Sequence, residues 1–285
     1  MSTISTLPQN LTETEYKIAL DRAKLASQTY DWDDYLVAET GMNLFSGIDD
    51  IKNQDFSTPN YLEVAEGGGY IDWVFTNGLD YKVFENSDTG DLVLSFRGTE
   101  PLSIVDWAAD IEQALLGQSD QYEKAIDVAR SIQSDIDEYN TANGLTGEDA
   151  VELSFTGHSL GGGLATAAAL ATGNEATVFD AAGLSQATID NFALDIGNAA
   201  HITNFNVQGD ALSDYNGQMD DTTFGSFITE QKQYGETFWL QGVNEQADFG
   251  GWLVPDDNFV VEQAEAVLNH AWHVFTYQLE NELFV

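Results

Sequence analysis

The chain has 285 residues, of which 43% are hydrophobic and 12% aromatic, enough apolar material for a sizeable core. Nine Lys and Arg face 48 Asp and Glu, a formal charge of −39, which repels phosphate backbones and anionic membrane surfaces and sets nucleic-acid binding aside. Cysteine is absent, so disulfides, thiolate metal sites and cysteine nucleophiles are excluded.

The opening stretch MSTISTLPQN lacks a basic n-region and an apolar h-region, so no cleavable secretory signal is expected. No run approaches the about eighteen uninterrupted apolar residues of a membrane span, and stable membrane insertion is not expected. Thr12 and Glu15 have capping-box spacing, and Tyr16, Ile18, Ala19, Leu20, Ala23 and Ala26 recur at helical intervals, which predicts a first helix over 13–29. From 30 to 69 no period is visible, and the segment reads as a long irregular surface excursion.

YIDWVF (70–75), YKVFEN (81–86) and DLVLSF (91–96) are β-rich runs separated by turn chemistry, an antiparallel meander ending at Phe96. A helical stretch over 119–141 stops at Asn143-Gly144 and leads into a strand at VELSFTG (151–157). LGGGLATAAALAT, from 160, reads as a small-residue helix able to pack close to a sheet. ATVFDAA (176–182) and HITNFNV (201–207) read as buried strands with a helix between them. Strands alternating with helices imply an α/β fold with a mainly parallel central sheet, the meander at one edge and helices on both faces. With no internal repeat and no low-complexity tract, one domain over 1–285 is the economical reading, its core over 70–285.

Gly157-His158-Ser159-Leu160-Gly161 satisfies G-x-S-x-G between a strand and a helix. In that context the pattern is a nucleophile elbow: the glycines leave room for a strained turn that lifts the serine above the sheet edge. The helix that follows aims its free N–H groups at the reacting centre.

SFRGTE (95–100), DWAAD (106–110), TGHSLGGGLA (156–165), NVQGD (206–210) and HAWHVF (270–275) together resemble the class 3 lipases, fungal lipase-like α/β-hydrolases that include bacterial phospholipase A1-like members. The resemblance implies an α/β-hydrolase fold and a serine carboxylic ester hydrolase acting on lipids without a cofactor. A serine hydroxyl needs a base to take its proton and an acid to orient that base. Of the four histidines, His158 adjoins Ser159 on a tight turn and reads as structural, and His201 should open a strand at the sheet end away from the elbow. The family's His-x-Trp stretch favours His270 over His273 as the base. The order Ser, Asp, His expected of this fold places the acid between 159 and 270, where Asp210 is favoured, with Asp180 and Asp214 in reserve.

One oxyanion donor should be the backbone N–H of Leu160, directly after the nucleophile. By resemblance the other comes from Thr99, with Asp106 or Asp110 steadying its loop. Segment 100–117 falls where family members carry a mobile helical lid, and its apolar residues suit either a lid or an amphipathic core helix. The substrate implied is a triacylglycerol or phospholipid at an interface, with soluble esters as the alternative. The acidic pairs Asp33-Asp34, Asp49-Asp50, Asp220-Asp221 and Asp256-Asp257 lack the alternating-oxygen pattern of a calcium loop, so no metal is expected. The ELFV tail resembles the acid-then-apolar end of proteins exported by ABC-type systems. Release without a cleavable signal, or a cytoplasmic location, is the corresponding expectation.

Overall fold

In the computed structural model, the structure describes residues 8, 10–30, 56–67, 79–98, 119–210, 212, 231–242, 272–281 and 284. Helix α1, Glu13–Gln28, begins at the expected capping box: the Thr12 hydroxyl accepts the Glu15 N–H at 3.2 Å while the Glu15 carboxylate accepts the Thr12 N–H at 2.7 Å. Strands β1 (Tyr61–Gly67), β2 (Tyr81–Asn86) and β3 (Leu92–Phe96) form an antiparallel meander. Helix α2 (Ser119–Asn143) then ends at Gly144, whose φ of +68° suits a residue without a Cβ.

Strand β4 (Leu153–His158), helix α3 (Leu160–Thr172) and strand β5 (Ala176–Phe179) follow as a βαβ unit. A two-residue strand, β6 (Leu184–Ser185), leads into α4 (Gln186–Phe192), a 3-10 turn (Ile196–His201) and β7 (Ile202–Val207). Strands β8 (Gln231–Lys232) and β9 (Glu236–Leu240) and helix α5 (Trp272–Glu280) complete the described elements.

One seven-stranded sheet runs in the order β1-β2-β3-β4-β5-β7-β9; β6 and β8 pair separately. From β3 to β9 every pairing is parallel, so the sheet is mainly parallel with an antiparallel edge, as expected. The register aligns Phe96 with Gly157, His158 with Phe179, and Phe179 with Phe205. The turns at Gly98, Ser159, Asp180 and Asp210 therefore open side by side along the carboxyl edge of the strands, where open α/β sheets bind ligands.

Helices α2 and α3 pack against one another, and residues of both join β3, β4 and β5 in one core around Tyr122, Ile126, Phe155 and Leu164. Every residue of α3 from Leu160 to Leu170 is buried. Its glycines and alanines let the helix axis approach the sheet closely. A second core holds α1 and α5 against the later strands. There Phe275, Phe179, Phe205 and Phe238 stack in sequence at centroid distances of 4.6, 5.8 and 5.4 Å, each ring pair adding about 0.5–1.5 kcal/mol beyond its burial.

Strands β1, β6, β8 and β9 were not anticipated by the sequence reading. The segment read as irregular to residue 69 contains β1, the outermost strand. A bulge between Glu63 and Ala65 interrupts its period, and Leu62 and Val64 are 59% and 50% exposed, so alternation and burial do not mark it out. Strand β9 is short and only Phe238 and Leu240 are buried. The expected strand over 70–75 and the candidate lid over 100–117 lie outside the described residues.

Candidate active site

Ser159 joins β4 to α3 with φ +59° and ψ −128°. A non-glycine residue at such angles is strained by about 1–3 kcal/mol, and its surroundings hold it there. Its N–H donates to the Phe179 carbonyl at 3.0 Å, and its carbonyl accepts from Ala182 at 3.0 Å and Gly163 at 3.2 Å. A Cβ on Gly161 would run into the Phe96 carbonyl, and one on Gly157 into the backbone of Gly161. Only glycine at both positions lets strand, turn and helix come this close. This is the elbow predicted from the pentapeptide.

The Ser159 side chain makes no capping hydrogen bond to α3. Leu160 is the first residue of that helix, so its N–H belongs to the terminal set without an intrahelical acceptor. The helix dipole places partial positive charge at the same end.

On the other side of the serine, Gly98 follows β3. A Cβ there would lie 3.2 Å from the Ser159 Cβ, 2.7 Å from the His158 carbonyl oxygen and 2.5 Å from the Tyr30 hydroxyl. The exit of β3 is thus pressed against the elbow. Thr99, the next residue in the chain, lies outside the described residues, as do Asp106 and Asp110.

His158 is buried, its Nδ1 3.0 Å from the Tyr30 hydroxyl and its ring 5.1 Å from that of Phe275. It is a structural hydrogen-bonding residue, as its position suggested. His201 is exposed at the end of the 3-10 turn that precedes β7, at the opposite edge of the sheet from Ser159. His270 lies outside the described residues, and His273 falls in α5 with only its backbone described. Phe275 on the same helix packs against both His158 and Phe179.

The two candidate triad aspartates among the described residues bond to different backbone groups. Asp180 ends β5 at φ +40°, is fully buried, and accepts the Val207 N–H through Oδ1 at 2.7 Å. That bond straps the end of β5 to the end of β7. Asp210 follows the Gly209 turn (φ +74°) after β7, is also fully buried, and accepts the Leu212 N–H through Oδ1 at 2.9 Å. Its own N–H donates to Val207 at 3.1 Å. Asp214 lies outside the described residues.

Tyr30 was not singled out by the sequence. Its phenol sits against His158 and Gly98, burial raises its pKa above the ordinary tyrosine value, and it is therefore neutral. An isolated tyrosine just past a helix end carries no period or motif that would reveal such a contact. Among the described residues no cluster of His, Asp and Glu is arranged to hold a metal ion, and no helix is long and apolar enough to cross a membrane.

A mainly parallel sheet whose strand ends in a positive-φ serine at the start of a buried helix defines an α/β-hydrolase. The fold agrees with that of solved lipases: Lip2 lipase from Yarrowia lipolytica superimposes with a TM-score of 0.50 over 93% of this chain and 94% of that one, at 14% identity. A Rhizomucor miehei lipase in a propeptide complex gives 0.50 over 92% of this chain and 80% of that one, at 12% identity.

Within that class the chain belongs to the phospholipase-like family defined by the Tle-like phospholipase domain, which residues 21–245 match. Over 129 residues it is 33% identical to the extracellular phospholipase A1 of Serratia liquefaciens, covering 45% of this chain. The match spans 32%, about a third, of that relative's length.

Proposed function

We propose that this protein is a serine carboxylic ester hydrolase that cleaves an acyl ester of glycerophospholipids, releasing a fatty acid and a lysolipid. The observation that carries the reading is Ser159, held at φ +59° at the N-terminus of α3 with Gly98 against its Cβ. The phospholipase-like family and the Serratia phospholipase A1 support a phospholipid over a triacylglycerol. The same relative's description as extracellular supports release from the cell.

In the proposed reaction Ser159 Oγ attacks the acyl carbonyl while His270 takes its proton, and Asp210 holds the resulting imidazolium. The tetrahedral oxyanion is bound by the N–H groups of Leu160 and Thr99. His270 then returns the proton to the departing lysolipid hydroxyl, leaving an acyl-serine. Water, deprotonated by His270, attacks that ester; the fatty acid leaves and the proton goes back to Ser159. All of these groups belong to one domain, and 100–117 would cover the site in water.

The test compares wild type with Ser159→Ala on phosphatidylcholine and on a triacylglycerol, with fatty acid and lysolipid identified by mass spectrometry. Phospholipid cleavage that disappears in the variant is the expected result. Cleavage of triacylglycerol alone would move the substrate class, and cleavage that survives in Ser159→Ala would sink the nucleophile assignment.

A further inference from the structure

Beneath the elbow lies a buried polar contact that the proposed chemistry does not use. Tyr30, just past the end of α1, reaches under the turn, and its hydroxyl accepts the Gly98 N–H at 3.1 Å while lying 3.0 Å from His158 Nδ1. The phenol oxygen accepts from Gly98, and a hydroxyl that accepts one bond can still share a second with Nδ1. The network links Gly98 N–H, the Tyr30 hydroxyl and His158 Nδ1, the tautomer of the imidazole setting which of the last two donates.

The surroundings leave this network little play. Tyr30 and His158 are 6% and 4% exposed, and the ring of Phe275 lies against His158. The Arg97 guanidinium sits 5.9 Å from the centre of the Tyr30 ring and pairs with Asp80 at 3.4 Å, and the Arg97 N–H donates to the Asp80 carbonyl at 3.0 Å. Two successive residues at the exit of β3 are thereby clamped, the second of them against Ser159.

We infer that Tyr30 is a positioning residue for oxyanion binding: through its hydroxyl it fixes Gly98 against the Ser159 turn, with His158 orienting that hydroxyl. This rests on the serine-hydrolase reading above. Backbone donors are effective only if held in place before charge develops, because reorganising them during the reaction consumes the stabilisation they supply. A phenol bonded to the backbone at the start of the loop provides such a hold from beneath the elbow, without approaching the substrate.

The experiment compares wild type, Tyr30→Phe, His158→Asn and His158→Leu. The readouts are kcat and KM on p-nitrophenyl butyrate, inhibition by butylboronic acid, whose serine adduct places an oxygen where the oxyanion forms, and melting temperature. Tyr30→Phe should lower kcat roughly tenfold to a hundredfold and weaken the boronate by a similar factor, with KM nearly unchanged. His158→Asn, which keeps a hydrogen-bonding group for the phenol, should rescue most of what His158→Leu loses.

A folded Tyr30→Phe enzyme with wild-type kcat and boronate affinity would overturn the inference. If Tyr30→Phe does not fold, the His158 pair decides, and equal kcat for Asn and Leu would overturn it. Fluorophosphonate labelling at Ser159, abolished in Ser159→Ala, keeps the two levels apart. Labelled, active wild type with an indifferent Tyr30 removes only the positioning role, whereas undiminished hydrolysis by Ser159→Ala removes both.

Discussion

The carboxylate of Asp180 accepts the backbone N–H of Val207 at 2.7 Å, so the aspartate nearer Ser159 along the sheet is engaged in holding two strand ends together. Asp210, beyond β7, spends one oxygen on a local turn. Each carboxylate thus accepts one backbone N–H, Asp180 across two strands and Asp210 within its own turn, and the proposed triad gives the catalytic role to Asp210. Asp210→Asn should lower kcat by about 10³–10⁴-fold, with stability changed little. Asp180→Asn, which keeps an acceptor for Val207 and tolerates its φ of +40°, should keep most activity. Parallel kinetics and urea denaturation of the two variants check this; the reverse ranking would transfer the catalytic role to Asp180.

Removing the strap altogether is a different experiment. Asp180→Ala leaves the buried Val207 N–H without its acceptor, at a cost of about 1–3 kcal/mol. Chemical denaturation should show that loss, and stability equal to Asp180→Asn would mean the bond contributes nothing.

Strain at Ser159 separates activity from stability in one residue. Ser159→Ala should lose roughly four to six decades of turnover. Ser159→Gly should be equally inactive, yet more stable than Ser159→Ala by about 1 kcal/mol, because glycine adopts positive φ without penalty. Calorimetry on the two variants reads the difference.

Close approach makes Gly161 intolerant of any side chain. Gly161→Ala must push the Phe96 carbonyl or the start of α3 aside, at about 1–3 kcal/mol or more. A lower melting temperature and impaired hydrolysis should appear together. Wild-type behaviour in both would show that the elbow can widen.

The charge of −39 makes a prediction about salt. Self-repulsion between surface carboxylates is screened within about 3 Å at 1 M ionic strength, so melting temperature should rise between low salt and molar NaCl. Equal values at both would remove electrostatic repulsion as a determinant of stability.

What could be read directly from the sequence was whatever is encoded locally. Thr12 and Glu15 announce a helix start because a capping box is a contact between near neighbours, and Gly157 to Gly161 announces an elbow because the constraint on those glycines lies within the turn. The mainly parallel character of the sheet followed from the alternation of strands and helices. Strand β1 did not, since its bulge and exposed face leave no period to read. Tyr30 was invisible for a related reason: its partners, Gly98 and His158, are distant in the chain. The bond from Val207 to Asp180 likewise depends on a pairing between strands that the residues around Asp180 do not reveal.

The first and last described helices clasp each other. Tyr16 donates to the Leu279 carbonyl at 2.7 Å, Lys24 pairs with Glu280 at 2.9 Å, and the buried hydroxyls of Ser27 and Thr276 meet at 3.3 Å. During vectorial synthesis α1 leaves the ribosome early, and although it also packs on β3, β4 and β5 it lacks this last set of partners until α5 emerges. Tyr30, fastened to the end of α1, is committed only with it. Contacts of such sequence separation form late and slowly. The nascent chain can therefore carry its serine turn before the clasp closes, and the fold is complete only when α1 and α5 meet.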